Sequence, residues 1–181
     1  MKQKQVLRKK FVAVVGYADS GKSTVIQSLS GCNNHSTNEK IRDASVGLCI
    51  YVLAPSPQEL PVIGEEDFTS ILQDVTRDET CQGVVAAIQP TLPTKRLSME
   101  KMFDLARKFR FESFAYVLEF PFCKGKKLED RIGNLENIKT RILGIDSEAK
   151  VFPMDGRRFA CLNADLIREP LKNSLIFMVC E

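Results

Sequence analysis

The sequence predicts an α/β three-layer sandwich, in which a mostly parallel sheet of about five strands carries helices on both faces. The first observation is that short apolar runs alternate along the chain with segments of helical periodicity. The second is that these runs are rich in Val, Ile, Phe and Tyr, residues that favour buried strands. Such alternation indicates parallel strands joined by right-handed helical crossovers.

The predicted strands are apolar runs that end at Gly, Pro or polar residues. They cover residues 11–15, 46–53, 83–88, 114–118 and 150–152. Between the first two lies the polar stretch 32–45, which includes Thr37 and Asp43. We interpret this stretch as a mobile connector.

Helices are predicted where apolar residues recur at helical spacing. Residues 22–29 form one helix after the first strand, and an i, i+3, i+4, i+7 stripe marks a second helix over residues 65–77. The apolar residues that mark the helices are Phe68, Ile71, Leu72 and Val75; Met102, Leu105, Ala106 and Phe109, after Ser98 as N-cap; Leu128, Ile132, Leu135 and Ile142; and Phe159, Leu162 and Leu166, before Pro170. The apolar tail from Leu171 to Cys180 fits either a helix or an edge strand.

Length and composition are those of an ordinary globular domain. The chain has 181 residues, of which 44% are hydrophobic and 27% charged, and this fits one domain over residues 11–181. Residues 1–10 form a basic tail, interpreted as a frayed, solubilising segment, with contact to an anionic surface as the alternative. No apolar run is long enough for a transmembrane helix or a signal-peptide core, so we expect a cytoplasmic location.

Charge and cysteine content argue against other classes of function. The formal net charge of +3 is too small to indicate nucleic-acid binding through many phosphate contacts. The six cysteines are scattered, with no C-x-x-C pair, and we expect them to be reduced thiols. Since His35 is the only histidine, a zinc site built from His and Cys is not expected.

One motif carries recognisable chemistry. Residues 16–23 match the pattern G-x-x-x-x-G-K-[ST] without a mismatch, between the first predicted strand and a helix. In such a loop the glycines let backbone N–H groups approach an anion, and the helix contributes its positive N-terminal end. We expect Lys22 to act on the β- and γ-phosphates as the catalytic cation, and the Ser23 hydroxyl to bind Mg²⁺. The predicted nucleotide-binding residues, called the phosphate loop below, are Gly16, Tyr17, Ala18, Asp19, Ser20, Gly21, Lys22, Ser23 and Thr24.

Together with its flanking residues, from Val12 to Gly31, this motif resembles the first motif of the P-loop NTPases, and within them of the GTPase class, the TRAFAC-type G domains. The likeness is close over about twenty residues and extends loosely along the order of the later elements. It implies the P-loop NTPase fold, GTP or ATP as ligand, and Mg²⁺ as cofactor. It also places the stretch 32–45 where that class has a switch loop, which nucleotide orders.

The later motifs of the GTPase class are degenerate in this chain. That class has D-x-x-G after the strand that follows the first switch, whereas residues 54–59 are APSPQE. Gln58 and Glu59 lie near the position of a water-positioning residue. The guanine-binding N-K-x-D is replaced by residues 119–122, EFPF, where a ring can stack on a base but no group hydrogen-bonds to guanine. Residues 151–157 stand where the GTPase class has its S-A-K loop, in altered form. The resemblance therefore implies no preference between GTP and ATP.

Two acidic residues are candidates for an additional role at the metal. Glu119 ends an apolar strand, as a Walker-B acid does, and is the candidate second Mg²⁺ ligand; the alternative is a strand-end glutamate that faces solvent. Asp19, inside the phosphate loop, either contacts a cation or caps the turn.

The intact phosphate loop and the degenerate later motifs together favour a domain that binds a nucleoside triphosphate with Mg²⁺. Such a domain would hydrolyse the nucleotide slowly or with a protein partner, in a regulatory or assembly role. The alternative from another class is a small-molecule or nucleotide kinase with the same loop, whose lid arginines would be among Arg131, Arg141, Arg157 and Arg158. A third hypothesis, an interaction module that has lost its ligand, is disfavoured by the intact Lys22 and Ser23.

Overall fold

The computed structural model describes residues 8–17, 20–23, 25–26, 37–42, 47–54, 56–58, 63–90, 97–118 and 135–155. The strands within these ranges are β1 (Lys10–Val15), β2 (Thr37–Arg42), β3 (Cys49–Ala54), β4 (Cys81–Ile88), β5 (Glu112–Leu118) and β6 (Lys150–Met154). The helices with defined bounds are α1 (Glu65–Arg77), α2 (Met99–Lys108) and α3 (Leu135–Ile145).

These strands form one 6-stranded sheet with the order β2-β3-β4-β1-β5-β6. From β3 to β6 along this order, neighbouring strands run parallel, and β2 runs antiparallel to β3 at one edge. β1 lies between β4 and β5 and is buried along its whole length. The mostly parallel sheet that the sequence predicts is confirmed.

Helical residues cover both faces of this sheet. On one face, Phe11 of β1 packs edge-to-face against Phe68 of α1 and Phe103 of α2, with ring centroids 6.0 and 5.2 Å away. The same core contains the buried residues of α3. On the other face, Val12 and Val14 of β1 belong to a second core with the helical residues 25 and 26. The predicted α/β three-layer sandwich is therefore confirmed.

Strand β2 corrects the prediction of a mobile connector over residues 32–45. It pairs with β3 along its length, Thr37 opposite Ala54 and Arg42 opposite Cys49. Its sequence, TNEKIR, shows no alternation of apolar and polar residues. An edge strand does not need this alternation, because backbone pairing can hold it without burial of one face. Residues 32–36 and 43–45, including Asp43, lie outside the described part of the chain.

The other predicted elements are found, with shifted ends. α1 has the predicted bounds. β1, β4 and β5 begin at Lys10, Cys81 and Glu112, earlier than the apolar runs, and β3 covers Cys49–Ala54 instead of residues 46–53. β6 continues through Pro153 to its end at Met154. Proline is compatible with this position because β6 lies at the edge of the sheet that the structure describes.

Both ends of α2 are defined by local hydrogen bonds. The hydroxyl of Ser98 accepts the N–H of Lys101 at 3.1 Å, as expected for an N-cap. At the other end, the N–H of Arg110 donates to the carbonyl of Arg107 at 2.9 Å and that of Phe111 to the carbonyl of Ala106 at 3.0 Å. This is a Schellman motif, and it places Arg110 in the left-handed region with φ of 62°.

Several sequence predictions fall on residues outside the described ranges. These are Leu128 and Ile132, the helix around Phe159 and Leu166, and the tail from Leu171 to Cys180; Leu135 and Ile142 lie on α3. None of the helices described in the structure combines the length and apolar character needed to cross a membrane.

Candidate phosphate-binding site

The phosphate loop follows β1, at the point in the sheet where the helices after neighbouring strands pack on opposite faces. The helical residues 25 and 26 that follow β1 pack on one face of the sheet, whereas α2 and α3, which follow the neighbouring strands β4 and β5, pack on the other. Connections that leave adjacent strands on opposite faces open a crevice at the carboxyl ends, and ligands of open α/β sheets bind there.

Backbone hydrogen bonds anchor the loop at both ends. The N–H of Gly16 donates to the carbonyl of Ile88, the last residue of β4, at 3.0 Å. Within the loop, the N–H of Ser20 donates to the carbonyl of Tyr17 at 3.2 Å, and the N–H of Val25 donates to the carbonyl of Gly21 at 2.9 Å. Lys22 and Ser23 have helical backbone, so the loop leads into a helix N-terminus, which favours an anion.

Both motif glycines are required by the geometry of the loop. Gly21 has φ of 91°, a conformation that residues with a Cβ rarely adopt. A Cβ on Gly16 would lie 3.3 Å from Cβ and Cδ1 of Leu118 and would overlap the hydroxyl of Ser20. A side chain at either position would therefore strain this compact path, through backbone conformation at Gly21 and through crowding at Gly16.

The side chain of Lys22 lies within the loop. It is 4% exposed, and its ammonium Nζ donates to the carbonyl oxygen of Tyr17 at 2.7 Å. A lysine is rarely this buried, because removing its charge from water is costly unless polar or charged groups compensate. A phosphate near the loop would supply such compensation.

Ser20 adds a buried hydroxyl to the same loop. The residue is 1% exposed, and its Oγ has no hydrogen-bond partner among the residues that the structure describes. An unsatisfied buried hydroxyl costs about 1–3 kcal/mol. Groups of this kind occur where a water molecule, an ion or a ligand completes the site.

The predicted metal ligands are only partly described. Ser23 lies in the first helical turn and is partly exposed. Mg²⁺ usually keeps several waters and takes only one or two protein ligands, so one hydroxyl is compatible with it. Over the described ranges, no group of three or more His, Cys, Asp or Glu could hold a metal ion. Ala18, Asp19, Thr24 and Glu119 lie outside those ranges.

Gln58 has a structural role that the sequence did not reveal. Its amide Nε2 donates to the carbonyl oxygens of Gln89 and Leu97, each at 3.1 Å. Its Oε1 accepts the N–H of Gln89 and, at 3.2 Å, the hydroxyl of Ser56. The side chain is 1% exposed. In this conformation the amide is bound to the protein, so the possible water-positioning role of Gln58 is not supported.

Arg141, one of the candidate lid arginines, is likewise engaged. Its guanidinium bonds Glu100 of α2 at 2.7 Å through Nε and the carbonyl of Pro90 at 2.6 Å through Nη2. Burial opposes ionisation of Glu100, but its hydrogen bonds, including that from Arg141, hold the pKa of Glu100 below its usual range. Arg141 therefore fixes α3 to α2 and the end of β4. Arg131, Arg157 and Arg158 lie outside the described ranges.

Aromatic residues lie near the carboxyl ends of β5 and β6. Tyr116 of β5 stacks on Phe152 of β6, with ring centroids 5.4 Å apart and an interplanar angle of 21°. Burial raises the pKa of Tyr116 to about 12. Phe120 and Phe122, the rings that the sequence suggested for base stacking, are outside the described ranges.

Comparison with known proteins gives no family for this chain. No protein-family model matches it, and no curated protein matches it. The solved structure described as "Crystal structure of SsGBP mutation variant G235P" aligns with a TM-score of 0.45 and 16% sequence identity over 96% of this chain. The chain spans 57% of the length of that protein, and a likeness this weak carries no argument about function.

Proposed function

We propose that this chain binds a nucleoside triphosphate, GTP or ATP, together with Mg²⁺ through the phosphate loop, and that it hydrolyses the nucleotide slowly or only with a partner. The observation that carries the proposal is the buried ammonium of Lys22, 2.7 Å from the carbonyl of Tyr17, in a loop at the carboxyl end of the central strand. A buried cation at a crevice of an α/β sheet is suited to an anionic ligand.

Each described loop residue has a separate role in this proposal. Gly16 and Gly21 allow the backbone path that directs N–H groups toward the phosphates. Lys22 neutralises the β- and γ-phosphates, and Ser23 supplies a hydroxyl to Mg²⁺, which in turn screens the phosphate charge. The hydroxyl of Ser20, without a described partner, is a further donor that ligand binding can satisfy.

Slow hydrolysis is proposed because the described residues after β3 offer no carboxylate. Ser56 and Gln58 follow this strand, and their side chains bond to each other at 3.2 Å. Phosphoryl transfer needs a metal-holding acid and a group that orients the attacking water. A protein partner that supplies an arginine or an acid would raise the rate, which fits a regulatory or assembly role.

Weak discrimination between bases is part of the proposal. The segment 119–122, EFPF, has no counterpart of the guanine-binding asparagine and aspartate. A site that hydrogen-bonds a base edge discriminates strongly, because the wrong base leaves buried polar groups unpaired. The affinities for GTP and ATP should therefore differ by less than about tenfold.

Calorimetric titration of the purified chain with GTP and ATP, each with and without Mg²⁺, tests this proposal. Saturable binding that Mg²⁺ strengthens is the expected result. No binding of either nucleotide would refute the proposal, and a hundredfold preference for GTP, which corresponds to about 2.7 kcal/mol, would show that another residue binds the base. Phosphate transfer to an added small molecule or nucleotide would instead favour a kinase.

A further inference from the structure

Gln58 joins three segments of the chain through one side chain. Its amide binds the backbone of Gln89, directly after β4, through both an N–H and a carbonyl. It also binds the carbonyl of Leu97, just before the N-cap of α2, at 3.1 Å. Gln58 itself follows β3. Because the side chain is 1% exposed, water does not compete strongly for these bonds.

These contacts lead directly to the phosphate loop. Gln89 follows Ile88, and the carbonyl of Ile88 accepts the N–H of Gly16 at 3.0 Å. The path from the amide of Gln58 to the first loop glycine therefore consists of two hydrogen bonds and the short backbone link between them. A shift of Gln89 would move the strand end on which Gly16 rests.

A second side chain, from α3, fixes the same region. Arg141 of α3 donates to the carbonyl of Pro90 at 2.6 Å and bonds to Glu100 of α2 at 2.7 Å. Gln58 holds the residues on either side of the β4–α2 connection, Gln89 and Leu97. The backbone at both ends of this connection is therefore held by side-chain hydrogen bonds.

We propose that Gln58 is a positioning residue for triphosphate binding, an inference that rests on the proposed function. Its amide holds the ends of β3 and β4 and the start of α2 in one arrangement, which keeps Gly16 where the phosphates need it. A loop whose backbone is already fixed binds an anion more tightly than a mobile loop, because binding does not have to order it. Loss of the amide reduces triphosphate affinity through Gly16 and not through direct contact with the nucleotide.

The role requires a group that both donates and accepts. Leucine can do neither. A carboxylate in Gln58→Glu accepts only, and would face the carbonyl oxygens of Gln89 and Leu97. Burial raises the pKa of an introduced carboxyl, and its protonated form can again donate to one carbonyl. The triphosphate affinity of Gln58→Glu should therefore increase as the pH falls, relative to the wild type.

The experiment titrates triphosphate with Mg²⁺ into the wild type, Gln58→Leu, Gln58→Glu and the control Gln82→Leu. Gln82 lies near the start of β4, far from the loop, and its Nε2 makes a 3.5 Å contact with the carbonyl of Thr80. Gln58→Leu should bind at least about tenfold more weakly than the wild type, and Gln82→Leu like the wild type. Gln58→Glu should recover part of its loss between about pH 8 and pH 6.

A folded Gln58→Leu variant that binds within about twofold of the wild type, while Lys22→Ala loses binding, would overturn this inference and leave the proposed function intact. Failure of the wild type to bind would overturn both. Where Gln58→Leu does not fold, Gln58→Glu decides: its triphosphate affinity, relative to the wild type, should increase between about pH 8 and pH 6. A relative affinity that does not change over this range would contradict the proposal.

Discussion

The hydroxyl of Ser20 lies in the space that a Cβ on Gly16 would occupy. The same Cβ would also come within 3.3 Å of Leu118 at the end of β5. The first glycine of the phosphate loop is therefore needed for packing, and its substitution should affect both the fold and the site.

Gly16→Ala should displace Ser20 and Leu118 and weaken triphosphate binding at least about tenfold. Overpacking of this kind typically costs about 1–3 kcal/mol of stability. The matched control is Gly144→Ala on α3, where a Cβ would meet nothing within 4 Å and should stabilise the helix by about 0.5–1 kcal/mol. Chemical denaturation and nucleotide titration measure both variants. Wild-type affinity in Gly16→Ala would show that the loop adapts to a side chain.

Arg110→Gly should stabilise the protein by about 1 kcal/mol. Arg110 holds φ of 62° at the end of α2, where only glycine avoids a steric penalty. The residue is exposed, so its side chain contributes little packing that the substitution would remove. Denaturant titration of Arg110→Gly and the wild type measures the difference in their free energies of unfolding, and so shows whether the substitution stabilises the protein. A loss of stability would show that the arginine side chain stabilises this turn more than its backbone strains it.

Asp78 should make stability depend on pH in the acidic range. Hydrogen bonds from Thr80, followed by the interaction with Lys40 at 3.1 Å, hold the pKa of Asp78 well below its usual range. A lowered carboxyl pKa stabilises the fold above the ordinary pKa of about 4, and this stabilisation is lost as the pH falls through the lowered value. Asp78→Asn should therefore be less stable than the wild type at neutral pH, with a difference that shrinks on acidification. A difference in the free energy of unfolding between Asp78→Asn and the wild type that does not change with pH would contradict this assignment.

The fold was predictable from the sequence because its central parallel strands are buried on both faces. β1 and β4 consist almost entirely of buried residues, so they appear as continuous apolar runs. β2 lacks this signal, since it is an edge strand whose pairing with β3 uses backbone groups that every residue carries. The ends of strands were missed for a related reason: Glu112 and Lys10 pair in register, although neither is apolar.

The site was predictable only where a motif fixes the residue types. The phosphate loop follows from its glycines and Lys22, whose chemistry allows few substitutes. Gln58 carries no such signal, because its role depends on Gln89 and Leu97, which are distant in sequence and meet it only through the sheet order. The engagement of Arg141 by Glu100 depends in the same way on how α2 and α3 pack.

The isolated chain should hydrolyse triphosphate very slowly. Ser23 can provide one Mg²⁺ ligand, but Gln58, near the position of a water-positioning group, is bound to Gln89 and Leu97. G domains without an activating partner turn over at about 10⁻⁴ to 10⁻² per second, and this chain should be no faster. Multiple-turnover assays of phosphate release, with Lys22→Ala as the control, measure the rate. Turnover near about one per second that disappears in the control would contradict the expectation, and Glu119→Gln would then be the next variant to examine.

The most direct test of the proposed function is the triphosphate affinity of Lys22→Ala relative to the wild type and to Lys139→Ala. Lys22 is 4% exposed within the phosphate loop, whereas Lys139 lies on α3 beside Glu136, at 3.8 Å. Calorimetric titration with Mg²⁺ should give a wild-type affinity for Lys139→Ala and a loss of at least about hundredfold for Lys22→Ala, with both variants folded by circular dichroism. Equal affinities in a folded Lys22→Ala and the wild type would contradict the proposal that this loop binds the phosphates.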